Sequence, residues 1–142
     1  MNTALIIYKF FARGGAQRDL VRTANALLKR NAGVEVICAE CSDPLPEGCK
    51  CTVLPVKGRS NHCRMKNFES AVKAYLADHP ADAVLGFARM SGLDLYFAAD
   101  DCLRKRWKNA FLNKILPRRR VFLELEKSAL QSPKVLSLTA RE

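Results

Sequence analysis

Hydrophobic positions change period several times along this chain. Ala4-Leu5-Ile6-Ile7-Tyr8 is an unbroken apolar run, and residues 3–8 read as a strand covered on both faces. After Arg13-Gly14-Gly15, the stretch opened by Gln17-Arg18-Asp19 repeats apolar residues at helical spacing: Leu20, Ala24, Leu27 and Leu28. Residues 34–38 predict a second strand, 42–48 a turn-rich loop, and 51–56 a third strand. A helix is predicted from the polar Ser60-Asn61 to about Asp78, with Phe68, Val72, Tyr75 and Leu76 on its apolar face and His79-Pro80 as its stop. Residues 83–87 read as a strand, 94–99 as a shorter one, 102–116 as a basic amphipathic helix, and 135–138 as a last strand.

Strands alternating with helices predict an α/β fold: a Rossmann-like, doubly wound parallel sheet. In such sheets ligands bind beyond the carboxyl ends of the strands. That edge collects Gly14-Gly15, the loop after Val56, the loop starting at Gly86, and Asp100. A strand that turns through two glycines into a helix suits a phosphate: glycine lets the backbone turn sharply and a ligand approach, and the helix start adds N–H groups and a positive dipole end. A plain turn accounts for a bare Gly-Gly equally well, and the pair departs from the G-x-G-x-x-G dinucleotide pattern.

At 142 residues there is room for one domain with a real core. No apolar run is long enough to span a bilayer, and Met1-Asn2-Thr3 leads straight into the first strand without a signal-peptide pattern, so a cytoplasmic chain is expected. The net charge is +10, and Arg104, Lys105, Arg106, Lys108, Lys114, Arg118, Arg119 and Arg120 fall in one stretch without an acid. Such charge implies an anionic partner. Leu103, Trp107, Phe111 and Ile115 form an i, i+4 ladder before Pro117 breaks the helix, and Leu125, Ala129 and Leu130 continue a second face. A basic helix with a Trp and Phe face suits an anionic membrane surface; the competing reading packs the ladder on the sheet. Nucleic acid is not expected, because no recognition motif accompanies the charge. The six cysteines, at 38, 41, 49, 51, 63 and 102, are not expected to form disulfides in a cytoplasmic chain. Cys38-x-x-Cys41 with Cys49-x-Cys51 offers four thiols, but the spacing is not that of a common zinc knuckle, and no metal is expected there.

A longer string then narrows the field. Gly86-Phe87-Ala88-Arg89-Met90-Ser91-Gly92-Leu93-Asp94-Leu95-Tyr96-Phe97-Ala98-Ala99-Asp100, taken with Tyr8-Lys9 through Asp19 and with Pro55-Val56-Lys57 through Asn61-His62, resembles the lipopolysaccharide core glucosyltransferases, family 4 retaining enzymes of GT-B architecture. The resemblance runs in register from Met1 to the last residue and is to their N-terminal, acceptor-side half. It implies that residues 1–142 form an incomplete, truncated Rossmann-like acceptor domain, with 102–132 as a basic membrane-contacting segment, and that the donor domain is absent. It implies a UDP-sugar donor, UDP-glucose, a lipopolysaccharide core heptose as acceptor, retention of configuration, no metal and no other cofactor, and a peripheral place on the inner face of the cytoplasmic membrane. By resemblance, Gly14 and Gly15 face the donor diphosphate, Asp100 and Asp19 lie at the reaction centre, and Lys57, Asn61 and His62 contact the acceptor. Membrane contact falls on Arg104, Lys105, Arg106, Trp107, Lys108, Phe111, Lys114, Arg118, Arg119 and Arg120.

Each assignment has a plainer competitor. Asp100 or Asp101 can cap the following helix, and Asp19 can sit in a first turn favoured by the dipole. A lone histidine such as His62 can be an ordinary surface residue. The alternative for the whole chain is a non-catalytic basic module that holds anionic membrane or nucleic acid. Because no donor-binding half follows Glu142, turnover by this chain alone is not expected.

Overall fold

The structure, a computed structural model, describes residues 1–98 and 103–137. Six parallel strands form one sheet in the order β5-β3-β1-β6-β7-β8. The strands are β1 (Asn2–Ile6), β3 (Gly33–Cys38), β5 (Cys49–Val53), β6 (Ala83–Gly86), β7 (Leu95–Ala98) and β8 (Lys134–Ser137). The central pairing sets Thr3 against Val34 and Ala83 on its two sides. Two short strands, β2 (Lys9–Phe10) and β4 (Glu40–Cys41), pair separately at the carboxyl edge. The continuous apolar run at 3–8 hides this break: the chain leaves the main sheet after Ile6.

Alternation along β1 sends its side chains to two cores. Leu5 and Ile7 meet Leu20 and Ala24 of α1 (Gly15–Leu28) together with Val34, Val36 and Cys38. Ala4 and Ile6 meet Phe68 and Val72 of α2 (Asn61–Asp78) and Ala129 of α5 (Pro117–Leu130). Helices therefore cover both faces, as the alternation predicts. Ser60 caps α2 by accepting from the Cys63 N–H, and Pro117 opens α5 at its first position, where its missing N–H is no loss. Glu35 of β3 accepts from Tyr75 Oη of α2 at 2.6 Å and pairs with Lys50 of β5 at 2.9 Å, lacing sheet to helix. Burial alone would raise the Glu35 pKa, but bonds from Thr52, Tyr75 and Lys50 together hold it below its ordinary value.

The segment predicted as one helix over 102–116 is two pieces, α3 (Leu103–Arg106) and α4 (Ala110–Ile115). Asn109 divides them. Its side-chain oxygen accepts from the N–H groups of Phe111 and Leu112, both at 3.1 Å, starting a new helix instead of continuing the old one.

Candidate active site

Gly14 is the N-cap of α1, at φ −84° and ψ 155°, which is ordinary extended backbone. Neither glycine of the pair adopts a left-handed conformation. At Gly14 the requirement is space: a Cβ would lie 1.6 Å from Gln17 Oε1. Gln17 is buried and its Nε2 donates to the Lys9 carbonyl at 3.1 Å, tying the glycine loop to β2. A Cβ on Gly15 would meet nothing within 4 Å. Gly14 has no side chain to accept from the first turn, so no side-chain cap serves the start of this 14-residue helix, and the space a Cβ of Gly15 would take is open.

That space is a cleft of about 690 Å³ at the carboxyl edge of the sheet. Tyr8, Lys9, Gly15, Asp19, Arg89 and Phe97 are among its walls. Asp19 is the fifth residue of α1, beyond the first turn, so the dipole explanation for it falls away. Its carboxylate is 3.7 Å from Arg22 and is largely buried against the cleft. Lys9 Nζ is 3.0 Å from Glu40, and Arg89 Nε is 3.8 Å from the buried Glu126 of α5. These two cations were not singled out from sequence as binding groups. The signal was present: each lies within three residues of the carboxyl end of a strand, β1 for Lys9 and β6 for Arg89.

The long string from Gly86 to Asp94 is largely loop architecture. A Cβ on Gly86 would be 2.3 Å from Leu93 Cδ1, and Gly92 holds φ +79°. Ser91 donates to Glu69 of α2 from its N–H at 2.9 Å and from its hydroxyl at 2.5 Å. Burial would raise the Glu69 pKa, but the Ser91 bonds and Lys73 outweigh it and hold the carboxyl below its ordinary value. Asp94 Oδ2 accepts from the Val84 N–H at 2.8 Å. These contacts fix the loop that presents Phe87 and Arg89 to the cleft.

The acceptor-side residues are placed elsewhere. Lys57 is exposed and its carbonyl accepts from Asn67 at 2.6 Å; Asn61 is the exposed first residue of α2. His62 Nε2 is 3.3 Å from Ser60 Oγ and lines a second groove of about 610 Å³ with Arg106, Trp107, Arg118 and Arg119. The groove that His62 lines is shared with the basic segment rather than with Asp19. The apolar ladder does not survive as one stripe. Leu103 is buried, and Trp107 is half-buried with the Arg119 guanidinium 5.3 Å from its ring centre. Phe111 and Ile115 are 72% and 54% exposed. Arg104, Lys105, Arg106, Lys108, Lys114, Arg118 and Arg120 are exposed. Asp100 and Asp101 lie outside the described residues. Of the capping competitor, one part is visible: Glu126 accepts from the N–H groups of Leu103 and Arg104 at 2.6 and 3.2 Å, so a carboxylate from α5 already serves the start of α3.

Three of the four clustered thiols also converge. The sulfur atoms of Cys38, Cys41 and Cys51 all lie within 4.8 Å of one another. Burial, with Cys51 and Cys41 beside it, pushes the Cys38 thiol up to about 12.

No protein-family model matches the chain. Lipopolysaccharide glucosyltransferase WaaG of Escherichia coli (strain K12) is 34% identical over 147 aligned residues, which take in 100% of this chain and 39% of the enzyme. This chain is WaaG-like from end to end. The crystal structure of WaaG, described as a glycosyltransferase involved in lipopolysaccharide biosynthesis, matches with a TM-score of 0.90 at 33% identity, covering 97% of this chain and 39% of that one. The resemblance read from the Gly86 string is therefore borne out as a likeness to the N-terminal part of WaaG, and the α/β fold with its parallel sheet is borne out as well. The likeness is to the N-terminal part of a GT-B glycosyltransferase, and the chain spans about two fifths of the length of the WaaG it matches.

Proposed function

We propose that this chain supplies the acceptor-side half of a retaining glucosyltransferase that moves glucose from UDP-glucose to an inner-core heptose of lipopolysaccharide. The observation that carries this is the end-to-end likeness to WaaG combined with a cleft that assembles the required groups. Glycosyl transfer needs the leaving diphosphate stabilised, the acceptor hydroxyl aimed, and positive charge at the anomeric carbon tolerated. The open N-terminus of α1 at Gly15, with Lys9 and Arg89 on the same walls, suits the diphosphate. Asp19 suits a sugar hydroxyl or the developing positive charge. Asp100 is assigned to the reaction centre on the resemblance; the capping of α3 by Glu126 weakens its plainer competitor. The groove of His62, Arg106, Arg118 and Arg119 is assigned to a phosphorylated part of the acceptor, and Lys57 and Asn61 are kept as acceptor contacts on the resemblance alone.

A membrane-bound acceptor calls for a docking surface, and the basic segment suits one. Phe111 and Ile115 are exposed apolar anchors, and seven exposed cations flank them. Each cation near an anionic surface contributes about 1 kcal/mol at most. No helix among the described residues is long and apolar enough to cross a membrane, so the proposed attachment is peripheral. No metal or cofactor is assigned to the transfer itself.

The test is a graft. This chain replaces the matching part of E. coli WaaG in a strain lacking its own enzyme, and the lipopolysaccharide core is weighed by mass spectrometry. The expected result is a gain of one hexose. A folded chimera that adds no hexose, beside a working unmodified WaaG, refutes the reading. Asp19→Asn and Asp100→Ala in the active chimera are each expected to lower transfer by roughly ten- to a hundredfold, the cost of one hydrogen bond to a charged group in the transition state.

A further inference from the structure

We propose that Cys38, Cys41 and Cys51 form a three-thiolate site for one thiophilic d10 cation, zinc(II) or copper(I). The three side chains come from three separate strands: the last residue of β3, the last residue of β4 and the middle of β5. Sequence spacing separates them by 3 and by 10 positions, and the fold brings them together where the β2-β4 pair adjoins the main sheet.

The distances fit a metal. A zinc–thiolate bond of about 2.3 Å sets ligand sulfurs roughly 3.8 Å apart in a tetrahedron and roughly 4.0 Å apart in a planar triad. The thiols lie within 4.8 Å of one another, so closure on an ion needs side-chain movements of less than about an ångström. The burial is graded in the way a loadable site needs. Cys38 is fully buried among the side chains facing α1 and gives a fixed anchor. Cys41 is half-buried and Cys51 exposed, which leaves an entry path and room for a water as fourth ligand to zinc. Three soft sulfurs without a hard oxygen ligand favour zinc(II) and copper(I) over magnesium or calcium.

The consequence is mechanical. Cys41 Sγ is 3.3 Å from the Asp43 carbonyl, and Asp43 Oδ2 accepts from the Ala12 N–H at 2.6 Å. The cluster therefore sits next to the contact that holds the approach to Gly14-Gly15. An ion here would clamp β4 to β3 and β5 and steady the glycine loop from behind, without entering the cleft.

The experiment uses the full chain, reduced and freed of metal. Cobalt(II) is added without oxygen, as a probe for zinc, and absorbance is read. The expected result is a thiolate-to-cobalt charge-transfer band that saturates at one ion per chain and is displaced by zinc(II). Parallel competitions of zinc(II) and copper(I) against chromophoric chelators identify which is held more tightly. Cys41→Ser and Cys51→Ser, the first half-buried at the margin of the core and the second exposed, are each expected to weaken binding at least about tenfold while far-ultraviolet dichroism stays native. Cys63→Ser, on α2, is expected to change nothing. The proposal is overturned if the folded chain shows no charge-transfer band, if the band survives both Cys41→Ser and Cys51→Ser at full affinity, or if Cys63→Ser abolishes it.

Discussion

Gly86→Ala is the sharpest test of how the cleft is held. Gly86 is the last residue of β6, and Leu93 returns over it at 4% exposure. An added Cβ would lie 2.3 and 2.7 Å from the two Leu93 methyls and 3.0 Å from its Cγ. The whole isobutyl group must move, and it is packed in the core with Phe68, Val72 and Tyr96. Forcing one extra carbon into such a core costs about 1–3 kcal/mol. For a domain of this size that lowers the melting temperature by roughly 3–10 °C. The assay is urea and thermal unfolding, repeated in a double-mutant cycle with Leu93→Ala. Leu93→Ala alone should cost about 2–5 kcal/mol, and adding Gly86→Ala to it should cost almost nothing further, because the clashing atoms are gone. A single Gly86→Ala variant within about 0.5 kcal/mol of the parent, or strict additivity in the cycle, would refute the steric argument.

Other outcomes follow from the same geometry. Glu69 and Glu35 both have carboxyl groups held below the ordinary value of 4.5, so their contribution to stability is complete above it and is lost as pH falls through the lower folded values; Glu69→Gln should flatten the fall in urea midpoint below that pH, and an unchanged slope would count against it. Vesicles containing phosphatidylglycerol should bind the chain and neutral vesicles should not, with binding weakened by salt and by replacing Arg118, Arg119 and Arg120 with Ser. In the same flotation assay Phe111→Ser should reduce binding more than Trp107→Ser, since Phe111 is free to insert while Trp107 lies under Arg119; the reverse order would restore the continuous ladder. In metal-free chain, Cys63 should be alkylated quickly at mildly alkaline pH and Cys38 only after unfolding, because burial both shields Cys38 and pushes its pKa up to about 12; equal rates would mean that the sheet opens at that edge.

How much of this could be read beforehand depends on whether the signal was local. Two of the three long helices, α1 and α2, were legible because each carries its own period and its own punctuation: Leu20 and Ala24 behind Gly15, and Phe68 and Val72 between Ser60 and His79. The parallel sheet was legible from the alternation of elements. The break between β1 and β2 was not, because Ile7 is as apolar as the strand before it, and the pairing partner of β2 lies about thirty residues further on. The basic helix failed for a different reason. Its i, i+4 ladder is real as a pattern, yet Asn109 offers the backbone a competing hydrogen bond in the middle of it, and a single cap outweighed four correctly spaced apolar residues.

The candidate site shows the same division, with a lesson about what a long motif means. The Gly86 string carries the resemblance, and the likeness to the N-terminal part of WaaG, over nearly all of this chain, agrees with it. Specificity of sequence is not the same as contact with substrate. Gly86 makes room for Leu93, Gly92 supplies a left-handed turn, Ser91 is held by Glu69, and Asp94 bridges to Val84. Four of its residues thus shape the loop, while Phe87 and Arg89 are the ones on the cleft wall. The Gly14-Gly15 pair divides in the same way: Gly14 yields to Gln17 behind it, and Gly15 alone stands open in front. A side chain added at Gly15, on the wall of the cleft, would therefore meet open space and leave the packing untouched, whereas one at Gly14 would break the packing first. Gly15→Ala should keep the melting temperature of the parent within about 0.5–1 kcal/mol equivalent, helped by the better helix propensity of alanine, while lowering transfer in the WaaG chimera. If Gly15→Ala leaves transfer intact, the N-terminus of α1 does not receive the diphosphate, and Lys9 and Arg89 would have to bind it without the helix.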